Sequence, residues 1–244
     1  METRLLHRLR APGAPLPCPA SWRLRASAAL FSLALLASLS PAAEHPEKAA
    51  AKMVTPAAER AIERGLAWLA SRQHEDGSFG TSGMYRGNVA VVSLGGMAMM
   101  AGGSTPGRGP YGRQVAMCVD NVLSHAQESG YIVNETFPSH GPMYGHGFAT
   151  MFLAECYGSS PRAEIRDKLG KAVKLIVNTQ NEQGGWRYYP ERMTADISVT
   201  IAQVMALRAA RNAGVHVPRE TIDRAVGYIK QSQNPDGGFA YMLV

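Results

Sequence analysis

The sequence is poor in cysteine, and its three cysteines do not indicate a metal or redox site. They stand at positions 18, 118 and 156, with no CxxC pair and no Cys/His spacing typical of zinc. Cys118 and Cys156 fall within predicted helices and are expected to be small buried apolar residues. The spacing leaves a disulfide between these two open. The sequence predicts no metal site and no cofactor.

A second feature that the sequence lacks is an apolar run long enough to cross a bilayer. The apolar run that starts near Ala26 has about 14 residues and follows a segment rich in arginine. Small residues at Ser40 and Ala42 suit a cleavage site. We therefore predict a signal peptide at 1–43, a linker at 44–54 and export to the periplasm or the exterior, with no stable membrane span after cleavage. A membrane-anchored N-terminus and a misplaced start codon are the alternatives.

Clusters of basic residues are also missing once the leader is set aside. Residues 1–43 hold five of the 25 Lys and Arg and one of the 19 Asp and Glu, which leaves the remainder with a net charge of only +2. No Lys/Arg cluster remains that follows a phosphate backbone. The sequence therefore predicts no nucleic-acid partner.

What the sequence does contain is a repeat with a period of about 53 residues. Similar turns begin at four glutamines, as QHEDGSFG, QESGY, QNEQGGW and QNPDGGF, at positions 73, 127, 180 and 233. A fixed period of this length is typical of an array of one supersecondary unit. Each unit needs its neighbours to bury its apolar face, so residues 55–244 are predicted to form a single repeat domain.

Each repeat is predicted to contain an outer and an inner helix. The outer helix precedes the glutamine and has one apolar stripe, which includes Leu69, Leu123, Ile176 and Ile229. Thr55-Pro56 is a good start for the first of these helices. The Gly-rich turn ends the outer helix, and its aromatic residue is expected to cover the helix end. The segments that follow, from Val89, Phe148 and Ile197, are apolar on most sides and predict an inner layer of helices.

Two polar residues are predicted near the starts of successive inner helices. Aligning these segments on Ser93, Thr150 and Thr200 places His146 and Asp196 in one position, where both are expected to face a central opening. The fourth repeat has its outer helix and its turn, but the sequence ends at Val244 where its inner helix is expected. We therefore expect the sequence to be incomplete at its C-terminus.

The Gln-x-x-x-Gly-Gly-Trp turn between outer and inner helices resembles the repeat of the terpenoid cyclase and protein prenyltransferase superfamily, including squalene cyclases. The resemblance covers roughly residues 55–244 and implies an all-α fold, the α/α-toroid or partial α/α-barrel. Squalene and oxidosqualene cyclases protonate their substrate with an Asp at the start of an inner helix. Ala195-Asp196-Ile197-Ser198 is similar in position, although it lacks the rest of both the Asp-x-Asp-Asp and the Asp-Cys-Thr-Ala patterns.

Protein prenyltransferase β subunits are also similar, and they bind zinc through an Asp-x-Cys pair on an inner helix. Here that pair reads Asp196-x-Ser198, and serine is a poor replacement for a thiolate ligand. The resemblance therefore does not extend to the zinc site.

The candidate catalytic residues are Asp196 and His146, and the candidate substrate-binding residues are Tyr188 and Tyr189. Each also has a structural interpretation: Asp196 as a helix cap, His146 as a turn or packing residue, and the tyrosines as cover for the Gly turn. Two functions follow. The first is a cyclase- or prenyltransferase-like enzyme, with Asp196 as general acid for an isoprenoid or similar apolar substrate. The second is a non-catalytic secreted toroid that binds a lipid, peptide or glycan on its concave face. The partner is thus an apolar small molecule or an unidentified macromolecule.

Overall fold

The computed structural model describes residues 54–81, 83–137 and 139–243 of the 244-residue chain, without the side chain of Met84. Residues from Thr55 onward form a compact unit, Thr55–Val244. The predicted signal peptide at 1–43, and the predicted linker at 44–54 apart from Val54, lie outside the described residues.

The described residues form an all-α structure, as predicted. Isolated β-bridges occur in this part of the chain, but no strand does. A single 3-10 turn spans Gly83–Tyr85. The seven α-helices of the described residues are α1 Pro56–Ser71, α2 Val89–Ala101, α3 Gly112–Ser124, α4 Pro142–Tyr157, α5 Ala163–Thr179, α6 Ile197–Asn212 and α7 Arg219–Ser232.

The helices lie in two layers. The inner layer is α2, α4 and α6, in which α4 packs against α2 on one side and against α6 on the other. The outer layer is α1, α3, α5 and α7, and each outer helix after α1 packs on the inner helix of the repeat before it. The alternation of outer and inner helices predicted from the sequence is therefore present.

The burial pattern follows the two predicted kinds of helix. Inner helix α4 is buried on most sides and contributes Met143, Phe152 and Leu153 to the core. Outer helix α5 is buried along one stripe only, with Leu169 and Ile176 on it. A helix with one apolar stripe lies at the surface, whereas one that is apolar all round is enclosed.

Side-chain caps fix where several helices begin. Thr55 accepts a hydrogen bond from the Ala58 amide at 3.2 Å and Pro56 occupies the first turn of α1, as expected from the sequence. Asn88 caps α2 through the Ala90 amide at 2.8 Å. Such caps satisfy amide groups that have no partner within the helix.

The Gly-rich turn holds successive repeats together. Gly184 has φ 94°, and a Cβ there would lie 2.3 Å from the backbone oxygen of Arg224 in α7. Gly77 and Gly130 approach Met117 of α3 and Lys171 of α5 in the same way. Only glycine combines this backbone conformation with so close an approach.

The repeat glutamine bridges the same two parts. Gln180 Nε2 donates to the Gly184 oxygen in its own turn and to the Thr221 oxygen in α7, both at 2.9 Å. Gln73 Nε2 makes the equivalent pair of hydrogen bonds, to Gly77 at 3.1 Å and to Gln114 in α3 at 3.0 Å. In the first and third turns, the glutamine amide thus joins the turn to the outer helix of the next repeat.

Candidate functional site

Hydrogen bonds join the two ends of the segment from Trp186 to Thr200. The Asp196 amide donates to the Trp186 oxygen at 3.0 Å, and the Trp186 amide donates to Thr200 Oγ1 at 3.1 Å. Trp186 Nε1 donates to the oxygen of Ile176 at 2.8 Å, so the indole covers the end of α5 as predicted. These contacts make residues 187–195 a closed loop whose two ends meet at the start of α6.

Asp196 is the N-cap of α6 and is fully buried. Its Oδ1 accepts hydrogen bonds from the Val199 amide at 2.8 Å and from Ser198 Oγ at 2.7 Å. Its Oδ2 is buried and has no hydrogen-bond partner among the residues that the structure describes. Oδ1 therefore caps α6, whereas Oδ2 makes no hydrogen bond among the described residues.

Arg187 is the charged neighbour of that second oxygen. Its Nη1 lies 4.0 Å from Asp196 Oδ2 and donates to Met242 Sδ at 2.9 Å. The guanidinium also lies over the rings of Tyr188 and Tyr241, at 4.9 and 6.0 Å from their centroids. Arg187 is thus held between a buried carboxyl group and two aromatic faces.

Tyrosines form the wall around this pair. Tyr188 and Tyr241 share a hydrogen bond between their hydroxyl groups at 2.6 Å, and Tyr144 OH lies 2.5 Å from Ser198 Oγ. Burial raises the pKa of Tyr144. A chain of hydroxyl groups therefore connects Tyr144 through Ser198 to Asp196.

The loop also carries a small cleft, which Arg187 borders. Its volume is about 210 Å³, and its lining comprises Arg187, Tyr188, Tyr189, Glu191, Met193 and Thr194. Tyr189 is 56% exposed here, whereas Tyr188 packs against His140 with ring centroids 4.9 Å apart. The two predicted tyrosines thus differ: Tyr188 belongs to the aromatic wall, and Tyr189 faces solvent.

His146 occupies a different place from the one predicted. The structure puts Gly141 at the N-cap of α4, where α6 has Asp196, and His146 lies five residues further on. The predicted common position of His146 and Asp196 is therefore wrong. The sequence alignment failed because it matched Thr150 with Thr200. In the structure His146 is the equivalent of Thr200, because each accepts a hydrogen bond from the backbone amide 14 residues before it.

Both ring nitrogens of His146 bond to the backbone. Nδ1 accepts from the Ile132 amide at 3.1 Å, which leaves the proton on Nε2 to donate to the Ala172 oxygen at 3.3 Å. Burial lowers the pKa of His146 to about 4. Thr200 receives the Trp186 amide in the same manner, also 14 residues after its donor. His146 thus holds the second turn against α4.

No cluster of three or more His, Cys, Asp or Glu side chains able to hold a metal ion occurs in 54–81, 83–137 or 139–243. Cys118 and Cys156 are buried free thiols, so the open possibility of a disulfide between them is not realised. Ser198 Oγ, which the sequence comparison set in place of a thiolate ligand, donates to Asp196 Oδ1.

Sequence reasoning did not identify three residues of the site: Arg187, Tyr144 and Tyr241. Tyr241 follows Tyr188 by 53 residues, so the repeat period was a signal that could have found it. Arg187 and Tyr144 carry no such signal, because their roles depend on loop geometry that the sequence does not reveal.

The sequence is similar to that of a curated protein. A drimenyl diphosphate synthase from Streptomyces showdoensis is 24% identical over 179 residues, which cover 73% of this chain and 32% of the relative. The match supports a terpenoid cyclase-like fold. The chain spans about a third of that relative's length. No protein-family model matches.

Among solved structures, two variants of the type II terpene cyclase MstE from Scytonema are similar. Both were determined with geranylgeranyl dihydroxybenzoate as substrate, and both have a TM-score of 0.48. The identities are 16% and 17%, with coverage of 77% and 76% of this chain and 53% and 52% of the cyclase. No helix among the described residues has the length and apolar character needed to cross a membrane.

Proposed function

We propose that the protein is an exported enzyme that acts on an isoprenoid or similar apolar substrate, with Asp196 as general acid. The observation that carries the proposal is the carboxyl group of Asp196, which is buried at the start of an inner helix beside a wall of tyrosines. The sequence similarity to a drimenyl diphosphate synthase is in agreement with this chemistry.

The proposed step is protonation of a carbon–carbon double bond. Asp196 Oδ2 is the oxygen available to carry the proton, because Oδ1 accepts two hydrogen bonds already. Transfer breaks the Oδ2–H bond, forms a C–H bond and leaves a carbocation, which a neighbouring double bond attacks. Loss of a proton to water ends the reaction, and Asp196 regains its proton from solvent. A general acid placed within reach of the substrate is what such a step requires.

The surrounding residues have supporting roles in this proposal. Aromatic faces of Tyr144 and Tyr188 stabilise positive charge on the substrate. Arg187 now lies over Tyr188, so the substrate must displace its guanidinium from that ring. The cleft beside Tyr189 and Met193 is the route from solvent.

Turnover by the purified full chain tests the proposal. An acyclic isoprenyl diphosphate and an uncharged polyprene are incubated with the protein, and products are identified by gas chromatography and mass spectrometry. A cyclised product is expected with the wild type and at least a hundredfold less with Asp196→Asn. Asparagine caps helices about as well as aspartate, so this change removes the acid and keeps the fold.

Asp236→Asn is the matched control. Asp236 accepts from the Gly238 amide in the fourth turn, and asparagine preserves that contact. Its activity should equal that of the wild type. Equal turnover by Asp196→Asn and the wild type, or no turnover of any isoprenoid, contradicts the proposal.

A specific observation favours the second candidate function, a non-catalytic chain that binds a lipid, peptide or glycan. Asp196 uses Oδ1 to cap α6 and places Oδ2 4.0 Å from Arg187, so a cap and an ion pair together account for both oxygens. If this function is the correct one, the wild type binds its ligand without changing it, and Asp196→Asn binds equally well.

A further inference from the structure

The two oxygens of the Asp196 carboxyl group have different surroundings. Oδ1 accepts hydrogen bonds from the Val199 amide at 2.8 Å and from Ser198 Oγ at 2.7 Å. Oδ2 accepts none among the described residues. A proton on this carboxyl group is therefore expected on Oδ2, while Oδ1 is the oxygen through which hydrogen-bond donors act on the acid.

The hydrogen bond from Ser198 has a defined direction. A serine hydroxyl group has a single hydrogen atom, and Ser198 donates it to Asp196. Tyr144 OH lies 2.5 Å from the same Ser198 oxygen, so the tyrosine must be the donor in this contact. Burial raises the pKa of Tyr144, so the phenol keeps its hydrogen at neutral pH. Tyr144 and Ser198 thus form a hydroxyl chain that points towards Asp196 Oδ1.

Capping of α6 does not account for the hydroxyl group of Ser198. The cap is the hydrogen bond between Asp196 Oδ1 and the Val199 amide. Helices α1 and α2 also begin at side-chain caps, Thr55 and Asn88, and each has alanine two residues after its cap, where α6 has serine. Helix starts of this protein therefore form without a hydroxyl donor at that position.

The hydroxyl chain favours the charged form of the carboxyl group. A hydrogen bond donated to a carboxylate is stronger than one donated to a neutral carboxyl oxygen. Hydrogen bonds in a row polarise one another, so the bond from Tyr144 strengthens the bond from Ser198. When Oδ2 loses its proton, the negative charge spreads over both oxygens, and the donors at Oδ1 stabilise it. The chain therefore lowers the free energy of proton release from Asp196.

We propose that Ser198 and Tyr144 are positioning residues for the acid: their hydroxyl groups stabilise the carboxylate that Asp196 becomes when it gives up its proton, and so make Asp196 a stronger acid. The inference rests on the proposed role of Asp196 as general acid. Neither hydroxyl group exchanges a proton with the substrate. The bonds that break and form are the Oδ2–H and C–H bonds of the proposed step.

Other ionisable side chains near Asp196 lie on the loop before α6, on α7 and after the fourth turn. Arg187 Nη1 is 4.0 Å from Oδ2. Burial and the charge of Asp196 raise the pKa of Tyr228. The hydrogen bond to Tyr188, burial and the charge of Asp196 raise the pKa of Tyr241. Substitutions in the hydroxyl chain leave these groups in place, so a change in proton release can be assigned to the chain.

A pair of substitutions at Ser198 separates the hydroxyl group from its packing. Threonine and valine are both β-branched and similar in shape, so Ser198→Thr keeps the donor, whereas Ser198→Val puts a methyl group in its place. Asp196 is titrated in the full chain by infrared difference spectroscopy, against Asp196→Asn in the same background. The pH at which Asp196 loses its proton should rise by about one unit in Ser198→Val, since a hydrogen bond to a charged group is lost. In Ser198→Thr it should match the wild type.

Tyr144→Phe removes the other hydroxyl group and keeps the aromatic face. The pH of proton loss should rise by less than in Ser198→Val, because Tyr144 acts on the carboxyl group through Ser198. Ser124→Val is the matched control, since Ser124 is an exposed residue of α3 whose hydroxyl group donates to the Asn121 oxygen at 2.7 Å. It should leave the titration of Asp196 unchanged. Circular dichroism spectra confirm that each variant folds.

Turnover connects the titration with the proposed reaction. Below the pH of proton loss, Ser198→Val should have a several-fold lower kcat with KM unchanged, because the hydroxyl chain acts when the proton leaves and not when the substrate binds. The decline of kcat at higher pH should move upwards together with the infrared titration. Ser198→Thr should restore both features, which a purely structural role of the serine does not predict.

Three results would overturn the proposal. The first is the same titration of Asp196 in Ser198→Thr and Ser198→Val, including an equal rise in both, which indicates packing and not hydrogen bonding. The second is a titration that Tyr144→Phe shifts more than Ser198→Val does. The third is an unchanged kcat profile of Ser198→Val on a substrate that the wild type converts. The expected titrations without turnover of any isoprenoid would support the effect of the hydroxyl chain on Asp196 and contradict the proposed function.

Discussion

At the scale of single residues, the same backbone task is done by different side chains in different repeats. The Ile132 amide donates to His146 in the second repeat, and the Trp186 amide donates to Thr200 in the third. Sequence alone did not reveal this equivalence, because an imidazole and a hydroxyl group look unrelated. Chemical identity of Thr150 and Thr200 was therefore a poor guide to structural position.

The burial of His146 predicts a dependence of stability on pH. Its pKa is about 4 in the folded state against 6.5 for the exposed residue, so unfolded chains bind more protons below pH 6.5. The stabilisation is complete above that pH and should be lost at roughly 1.4 kcal/mol per pH unit as the pH falls towards 4. Urea unfolding between pH 7 and pH 4 measures it. His146→Gln should show a smaller decrease over this range; an unchanged slope would rule out His146 as its source.

The glycines of the third and fourth turns form a matched pair. Gly184→Asn should lower the free energy of unfolding by more than about 2 kcal/mol, because its Cβ meets the Arg224 oxygen. Gly237→Asn has a similar φ and open space, and should stay within about 1 kcal/mol of the wild type. Denaturant unfolding at low protein concentration compares the two. Equal losses would mean that backbone strain, and not the close approach, decides the effect.

At the scale of the elements, the helices could be predicted well and the loops could not. The 53-residue period, the apolar stripes and the Thr55-Pro56 start predicted both layers and the first cap. The loops from the Gly-rich turns to the inner helices could not be predicted, because their lengths differ between repeats. The Gly141 cap lies 11 positions after Gly130, whereas Asp196 lies 12 positions after Gly184. That difference accounts for one of the five residues between the Gly141 cap and His146, and matching Thr150 instead of His146 with Thr200 accounts for the other four.

The bridging glutamines allow a second matched comparison. Gln180→Ala should cost about 2 kcal/mol, because the buried oxygens of Gly184 and Thr221 lose their shared donor. Gln127 is half-buried, and among the described residues its side chain bonds only to the side chains of Glu135 and Ser129, so Gln127→Ala should cost less than about 0.5 kcal/mol. Thermal or urea unfolding gives both values. A loss for Gln180→Ala no larger than that for Gln127→Ala would contradict the bridging role assigned to Gln180.

At the scale of the whole molecule, stability should decrease from the middle of the array towards α1. No residue of α1 is buried, whereas α4 lies between α2 and α6 and is enclosed on most sides. Amide hydrogen exchange should therefore be fast in α1 and slow in α4 and α6. Uniform protection along the chain would contradict the repeat-by-repeat account of its stability.

In the candidate site, Asp196 both caps helix α6 and carries the proposed chemistry. Its place at the start of an inner helix was predictable from the period and from the resemblance to cyclases. Its contact with Arg187 was not, since it depends on how residues 187–195 fold back on Trp186. A measurement that follows the proton transferred to the substrate distinguishes the role of Asp196 as general acid from its role as helix cap.

That measurement is turnover in deuterium oxide. If Asp196 protonates the substrate, each molecule of cyclised product carries deuterium at the carbon that was protonated first, and Asp196→Asn forms at least a hundredfold less of this product. A product without deuterium at that carbon, or a deuterated product formed equally well by Asp196→Asn, would contradict the assignment of Asp196 as the acid.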